Sequence, residues 1–163
     1  MKIFLVLGLV VFFFYGCECF CSNNTINPAF IGFSKSQIDT VIIKRFTPNQ
    51  NYANLIDSVI IVALSPDTNC CSAFYYSVQG DTTIIFANAD TIAPIRAGYD
   101  WQIYIPATRS TINISDIENG TQVNCKYCDP NIVSFVQNGV QINSPARTNY
   151  FNNDDGYGAF IRP

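Results

Sequence analysis

The sequence predicts an all-β fold because short β-branched and aromatic runs recur along it, turn residues separate them, and no stretch sustains a helical period. Strand centres spaced by roughly ten residues suit an antiparallel sandwich or barrel. Seven to nine strands are expected in one domain spanning residues 37–163.

Two segments precede that domain. Ile3–Tyr15 is almost wholly apolar, follows Lys2 and runs into Gly16-Cys17, the layout of a secretory signal over residues 1–16. The run is too short for the ~20 apolar residues that a membrane-spanning helix needs. Residues 17–36 are expected to be a tether, since Ser22, Asn23, Asn24, Thr25 and Asn27 show no apolar period.

The runs then follow in order: Val41–Phe46, Leu55–Leu64, Ala73–Val78, Thr82–Asn88, Trp101–Ile105, Thr111–Ile114, Ile132–Gln137, Val140–Ile142 and Tyr157–Ile161. Leu55–Leu64 is the most continuously apolar, which predicts a central strand covered on both faces. In Trp101–Ile105 the apolar Trp101, Ile103 and Ile105 alternate with Gln102 and Tyr104, so one face should be buried and the other wetter. Asn138-Gly139 sits between two runs where a two-residue hairpin wants positive φ. Asn119-Gly120 and Asp155-Gly156 offer the same chemistry. A single helical turn is expected near Ser34–Gln37.

Composition excludes several functions. Cleavage before Cys17 leaves 147 residues (163 minus 16), with eight basic against twelve acidic, a net charge of −4. With no basic run, there is no electrostatic footprint for nucleic acid or for anionic headgroups. Hydrophobic content of 48% against 13% charged marks a folded domain. The chain has no histidine, which excludes Ser-His-Asp and Cys-His nucleophile pairs. A carboxylate site stays open in principle, yet Asp39, Asp57, Asp81, Asp90, Asp100, Asp116 and Glu118 fall mostly at turns and strand edges. No enzyme activity, cofactor or metal is expected. Asn152–Gly156 is oxygen-rich, but Phe151 stands where a calcium loop needs an acid, so a polar turn is favoured. Tyr75, Tyr76, Tyr99, Trp101, Tyr104 and Tyr127 could line a platform for a sugar ring or a protein; core or edge packing is the plainer reading.

Six cysteines follow Cys17: Cys19, Cys21, Cys70, Cys71, Cys125 and Cys128. Outside the cytosol such thiols oxidise. Bonding neighbours Cys70 and Cys71 to each other would strain the peptide between them, so at least one link to the Cys125–Cys128 loop is expected. Its stabilisation would be about 2–4 kcal/mol. Cys125-Lys126-Tyr127-Cys128 has thiol-redox spacing, but Asp129-Pro130-Asn131 and a strand pattern follow instead of the helix that chemistry uses. A four-cysteine zinc site is weakened because one half is an adjacent pair. Structural disulfides among Cys70, Cys71, Cys125 and Cys128 are the expected arrangement.

Phe14-Tyr15-Gly16-Cys17 resembles the lipobox of bacterial lipoproteins, with Phe14 where Leu is usual, as in the relaxed boxes of the Bacteroidetes. The resemblance implies acylation of Cys17 and anchoring in the cell envelope, at the outer membrane. The runs Gly32-Phe33-Ser34 with Ile38–Ile42, and Gly98–Ala107 with Ile112–Ile117, resemble small Bacteroidetes lipoproteins with an immunoglobulin-like or transthyretin-like β-sandwich. That likeness implies fold and location, and carries over no catalytic residue. Asp39-Thr40, Asp57-Ser58, Asp81-Thr82 and Asp90-Thr91 resemble the O-glycosylation signal of exported proteins in that phylum. The expected function is a lipid-anchored envelope accessory or binding module with a protein or glycan partner. A secreted disulfide-stabilised binding protein is the alternative, and a carboxylate-dependent hydrolase or thiol-redox protein the third.

Overall fold

The computed structural model describes residues 24–62, 74–79, 82–87, 93–121, 130–146 and 156–163. Ten strands lie among them: β1 (Ile26–Ile31), β2 (Thr40–Phe46), β3 (Leu55–Val62), β4 (Phe74–Gln79), β5 (Thr82–Ala87), β6 (Asp100–Ile105), β7 (Ser110–Asn119), β8 (Ile132–Gln137), β9 (Val140–Asn143) and β10 (Tyr157–Ile161). A 3-10 turn at Lys35–Gln37 is the only helix among the described residues, where one turn was expected. The Ser34 amide donates to Gln37 Oε1 at 2.8 Å and closes it.

The strands form two sheets, one ordered β10-β1-β5-β4 and the other β3-β2-β6-β7-β8-β9. The expected all-β sandwich is therefore the fold. The strand count exceeds seven to nine because β1 lies inside the segment expected to be a tether. Residues 24–30 are all buried, and β1 pairs with β10 on one side and β5 on the other. Asn27 and Pro28 hide this strand from a propensity reading. Pro28 is tolerated because the Ile26 amide bonds the Ile95 carbonyl at 2.9 Å while the β5 ladder starts only at Ala29. Its missing N–H falls in the gap between those two partners. The β1–β10 pair is parallel, the exception among otherwise antiparallel pairings.

The core lies between the sheets. Val41 and Ile43 of β2, Trp101, Ile103 and Ile105 of β6, and Ile112 and Ile114 of β7 face Ile26 and Phe30 of β1 and Tyr157, Ala159 and Ile161 of β10. Phe33 and Ile38 flank the 3-10 turn and join the same cluster, Phe33 edge-on to Phe30 at 5.9 Å. Full burial of each large side chain stabilises by roughly 1.5–3 kcal/mol. The alternation expected for Trp101–Ile105 is present: its odd positions are buried and Gln102 and Tyr104 half-buried.

Two further expectations need correcting. Leu55–Leu64 was expected to be central and covered on both faces, but β3 is the terminal strand of its sheet, with Leu55, Ile56, Ile60 and Val62 exposed. An apolar run fits an edge as well as a centre when its neighbours are unknown. Asn119-Gly120 is not a two-residue turn either: β7 runs through Asn119, and the Gly120 amide bonds the Asn131 carbonyl at 2.7 Å. By contrast, Asn138 and Gly139 have φ of 49° and 80° and close β8 onto β9 as expected.

Candidate functional site

The register places one cross-sheet row at the end of the core: Asp57, Arg45, Trp101, Ile114 and Gln137 lie side by side on β3, β2, β6, β7 and β8. Arg45 shares a strand face with Val41 and Ile43, so its aliphatic stem continues the core and its head group closes it. The head pairs with the Asp57 carboxylate. It also lies 4.7 Å over the Tyr99 ring and 6.0 Å from that of Trp101, placing the guanidinium on two aromatic faces. Trp101 Nε1 donates to the Arg96 carbonyl at 2.9 Å, satisfying the buried indole. At the other end of the row, Gln137 Nε2 donates to the Phe160 carbonyl at 2.9 Å and ties the sheets together.

A loop of residues 47–54 joins β2 to β3 beside this row. The Thr47 amide donates to the Asn54 carbonyl, and Ala53 to Gln50, each at 3.0 Å. Asn49, Asn51 and Tyr52 are left-handed, with φ of 60°, 47° and 57°. Asn adopts that region readily, whereas a bulky Tyr there costs about 1–2 kcal/mol. Compensation comes from the Tyr52 ring standing edge-on to Phe46 at 5.5 Å and its hydroxyl bonding Ser115. Burial pushes that hydroxyl above the usual phenol range.

Asp100 anchors the loop. It is buried at 7% exposure, and its Oδ2 accepts the Asn49 amide at 3.0 Å. Burial raises its carboxyl above the ordinary range; the Asn49 N–H works against the rise and the charge of Asp116 adds to it. A raised native value means that the folded state holds this proton better than the unfolded chain does. Stability from Asp100 is therefore greatest below the ordinary carboxylate value and falls as pH climbs through the window up to the raised one. Asp100→Asn keeps an acceptor for Asn49 and removes the titration. Urea midpoints between pH 3 and 7 should show the parent losing ground to the variant as pH rises; a constant gap would contradict the raised value.

The aromatic platform does not assemble as one surface. Trp101 is buried, and Tyr104 projects from the opposite face of β6, half-buried with Lys44 Nζ 5.5 Å from its ring centre. Tyr99 alone of these three is open, at 38% exposure, edge-on to Trp101 at 6.0 Å. Tyr75, Tyr76 and Tyr127 lie outside the side chains described. Of the carboxylates, Asp100 and Asp116 are close enough for their charges to interact, whereas Asp57 pairs with Arg45, Glu118 accepts the Ser134 hydroxyl at 2.7 Å and Asp39 is exposed; Asp116 also accepts the Ser115 hydroxyl at 3.0 Å. Asp81 and Asp90 lie outside the described residues, as do Cys17, Cys19, Cys21, Cys70, Cys71, Cys125 and Cys128. Among the described residues no three metal-ligating side chains gather.

This end of the sandwich thus carries a partly exposed Tyr99 with the Arg45 guanidinium over its ring, beside the loop that Asp100 anchors. The sequence does not single out Arg45 with Tyr99 and Trp101, because only the β2–β6 register makes neighbours of residues more than fifty positions apart. No family, curated protein or solved structure matches this chain.

Proposed function

We propose that this protein is a non-enzymatic, lipid-anchored envelope protein that acts as an accessory or binding module. The observation that carries the reading is the apolar leader Ile3–Tyr15 running into Gly16-Cys17. Acylated Cys17 would hold the chain at the membrane, and two or more acyl chains would make that hold stable. No described helix is long and apolar enough to cross a membrane. The sandwich is the presented part, and its protein or glycan partner meets the loop end that carries Tyr99. Support for binding over catalysis comes from the lack of histidine and from the engagement of Asp57 by Arg45, of Asp100 by the Asn49 amide and of Glu118 by the Ser134 hydroxyl.

A secreted, disulfide-stabilised binding protein is the second reading, favoured by the six cysteines that follow Cys17. Mass spectrometry of the mature N-terminus separates the two. The expected result is a chain that starts at Cys17 and carries the added mass of acyl groups. An unmodified, soluble N-terminus would overturn the anchor and leave the secreted reading standing.

A further inference from the structure

We propose that the domain sits on its own membrane by the end that carries Tyr99, so that the partner met there is the polar headgroup layer of the bilayer holding Cys17. The inference deepens the anchored binding module proposed above and rests on its acylated Cys17.

Hydrogen bonds tie the point where the chain enters the fold to Tyr99. The fold holds the chain from Asn24 onward, since Asn24 and Thr25 are buried and the Thr25 carbonyl accepts the Tyr157 amide at 2.8 Å. At the start of β1 the Ile26 amide donates to the Ile95 carbonyl at 2.9 Å. The next carbonyl, that of Arg96, accepts Trp101 Nε1, also at 2.9 Å. One short segment, Ile95–Trp101, thus joins the start of β1 to the start of β6, and Tyr99 lies within it. The loop of residues 47–54 stands at the same end, because the Asn49 amide donates to Asp100. β6 runs away from this end to Ile105, which places Ala107 at the opposite one.

Reach argues for the membrane as the occupant of this end. Only residues 18–23 lie between Cys17 and Asn24, a span of at most about 25 Å. From Tyr99 to Ala107 the strand and its flanks are as long, about 25 Å. Standing on its Ala107 end, the domain would lift Asn24 by that whole length and need the link to Cys17 fully drawn out. Standing on its Tyr99 end, it needs almost none of that reach. The side chains fit the same surface. Tyr99 is 38% exposed and Arg96 is open beside it. Tyrosine is enriched where a membrane meets water, because its ring is apolar and its hydroxyl wet. Asp116 and Glu118 are open near Asp100 and on the same stretch of β7, so the end carries both signs of charge and suits headgroups of no net charge.

The test uses the full chain with its own leader, produced in a bacterial host and reconstituted into phosphatidylcholine vesicles that carry a TEMPO-labelled headgroup. Dansylalanine replaces Gln50 in one sample and Ala107 in another, both exposed positions. Quenching at Gln50 is expected to exceed that at Ala107 at least about threefold, given the length of sheet between them. Tyr99→Ser should lower the quenching at Gln50 at least about twofold, whereas Tyr99→Trp, which keeps an interfacial aromatic, should preserve it. Melting curves check that each variant folds, and the parent ratio decides the orientation where Tyr99→Ser does not. Equal quenching at the two positions, or stronger quenching at Ala107, would overturn the orientation. An unmoved signal in folded Tyr99→Ser would overturn the headgroup contact. N-terminal mass is read on the same sample: an unacylated chain ends the anchor and this orientation together, while an acylated chain with equal quenching ends the orientation alone.

Discussion

Phe30→Ala should cost about 3–5 kcal/mol, a large part of the total stability of a domain this size. Phe30 is fully buried in β1, between the two sheets, with Phe33 edge-on to it. Truncation removes the ring's transfer free energy and leaves a cavity that flanking strands cannot close, since β1 is held by β10 on one side and β5 on the other. Phe160→Ala is the matched control, because that ring on β10 is 39% exposed and its loss should cost well under half as much. Urea denaturation at neutral pH reads both. The result also decides where the fold begins: if residues before 37 were a tether, Phe30→Ala would leave the midpoint unmoved.

The sequence made some of this architecture plain and concealed the rest for identifiable reasons. Trp101, Ile103 and Ile105 are legible because period-two alternation is a local signal that burial on one face imposes directly. Asn138-Gly139 is legible because its two positive φ angles select those residue types. β1 is concealed because Asn27 and Pro28 break its propensity, and because its parallel partner β10 lies some 130 positions away. Tertiary burial, and not local preference, makes it a strand. The position of β3 is concealed for a different reason. Apolar continuity reports only that a strand is apolar, and a terminal strand can share that composition with a central one.

The Arg45 row shows the same limit at the candidate site. Arg45, Tyr99 and Trp101 each appear ordinary in sequence: a strand cation, a turn aromatic and a core aromatic. The β2–β6 register places Arg45 opposite Trp101, and the short approach to β6 swings Tyr99 over the guanidinium. Aromatic content left a platform open beside the plainer reading of core or edge packing, and strand alternation puts Tyr104 on the other face of the sheet from Trp101. What remains at this end is one open ring, Tyr99, with the Arg45 guanidinium over it.

Gly156→Ala should destabilise by on the order of 3 kcal/mol and act through β1. Gly156 has φ of +94°, and a Cβ built there would stand 2.5 Å from the Thr25 carbonyl oxygen. That carbonyl accepts the Tyr157 amide at 2.8 Å, the first rung of the parallel β1–β10 pair. The added methyl therefore meets backbone and not a flexible side chain, and relief requires the two strands to separate where the ladder starts. Gly98→Ala isolates the conformational part, since Gly98 has φ of +90° with nothing within 4 Å of the same construction. That control should lose only about 1–2 kcal/mol from the left-handed backbone. Chemical denaturation measures both, and amide exchange at Tyr157 should quicken in Gly156→Ala but not in Gly98→Ala. Equal losses in the two variants would mean that backbone conformation alone is at stake and that the close approach of β10 to β1 contributes nothing.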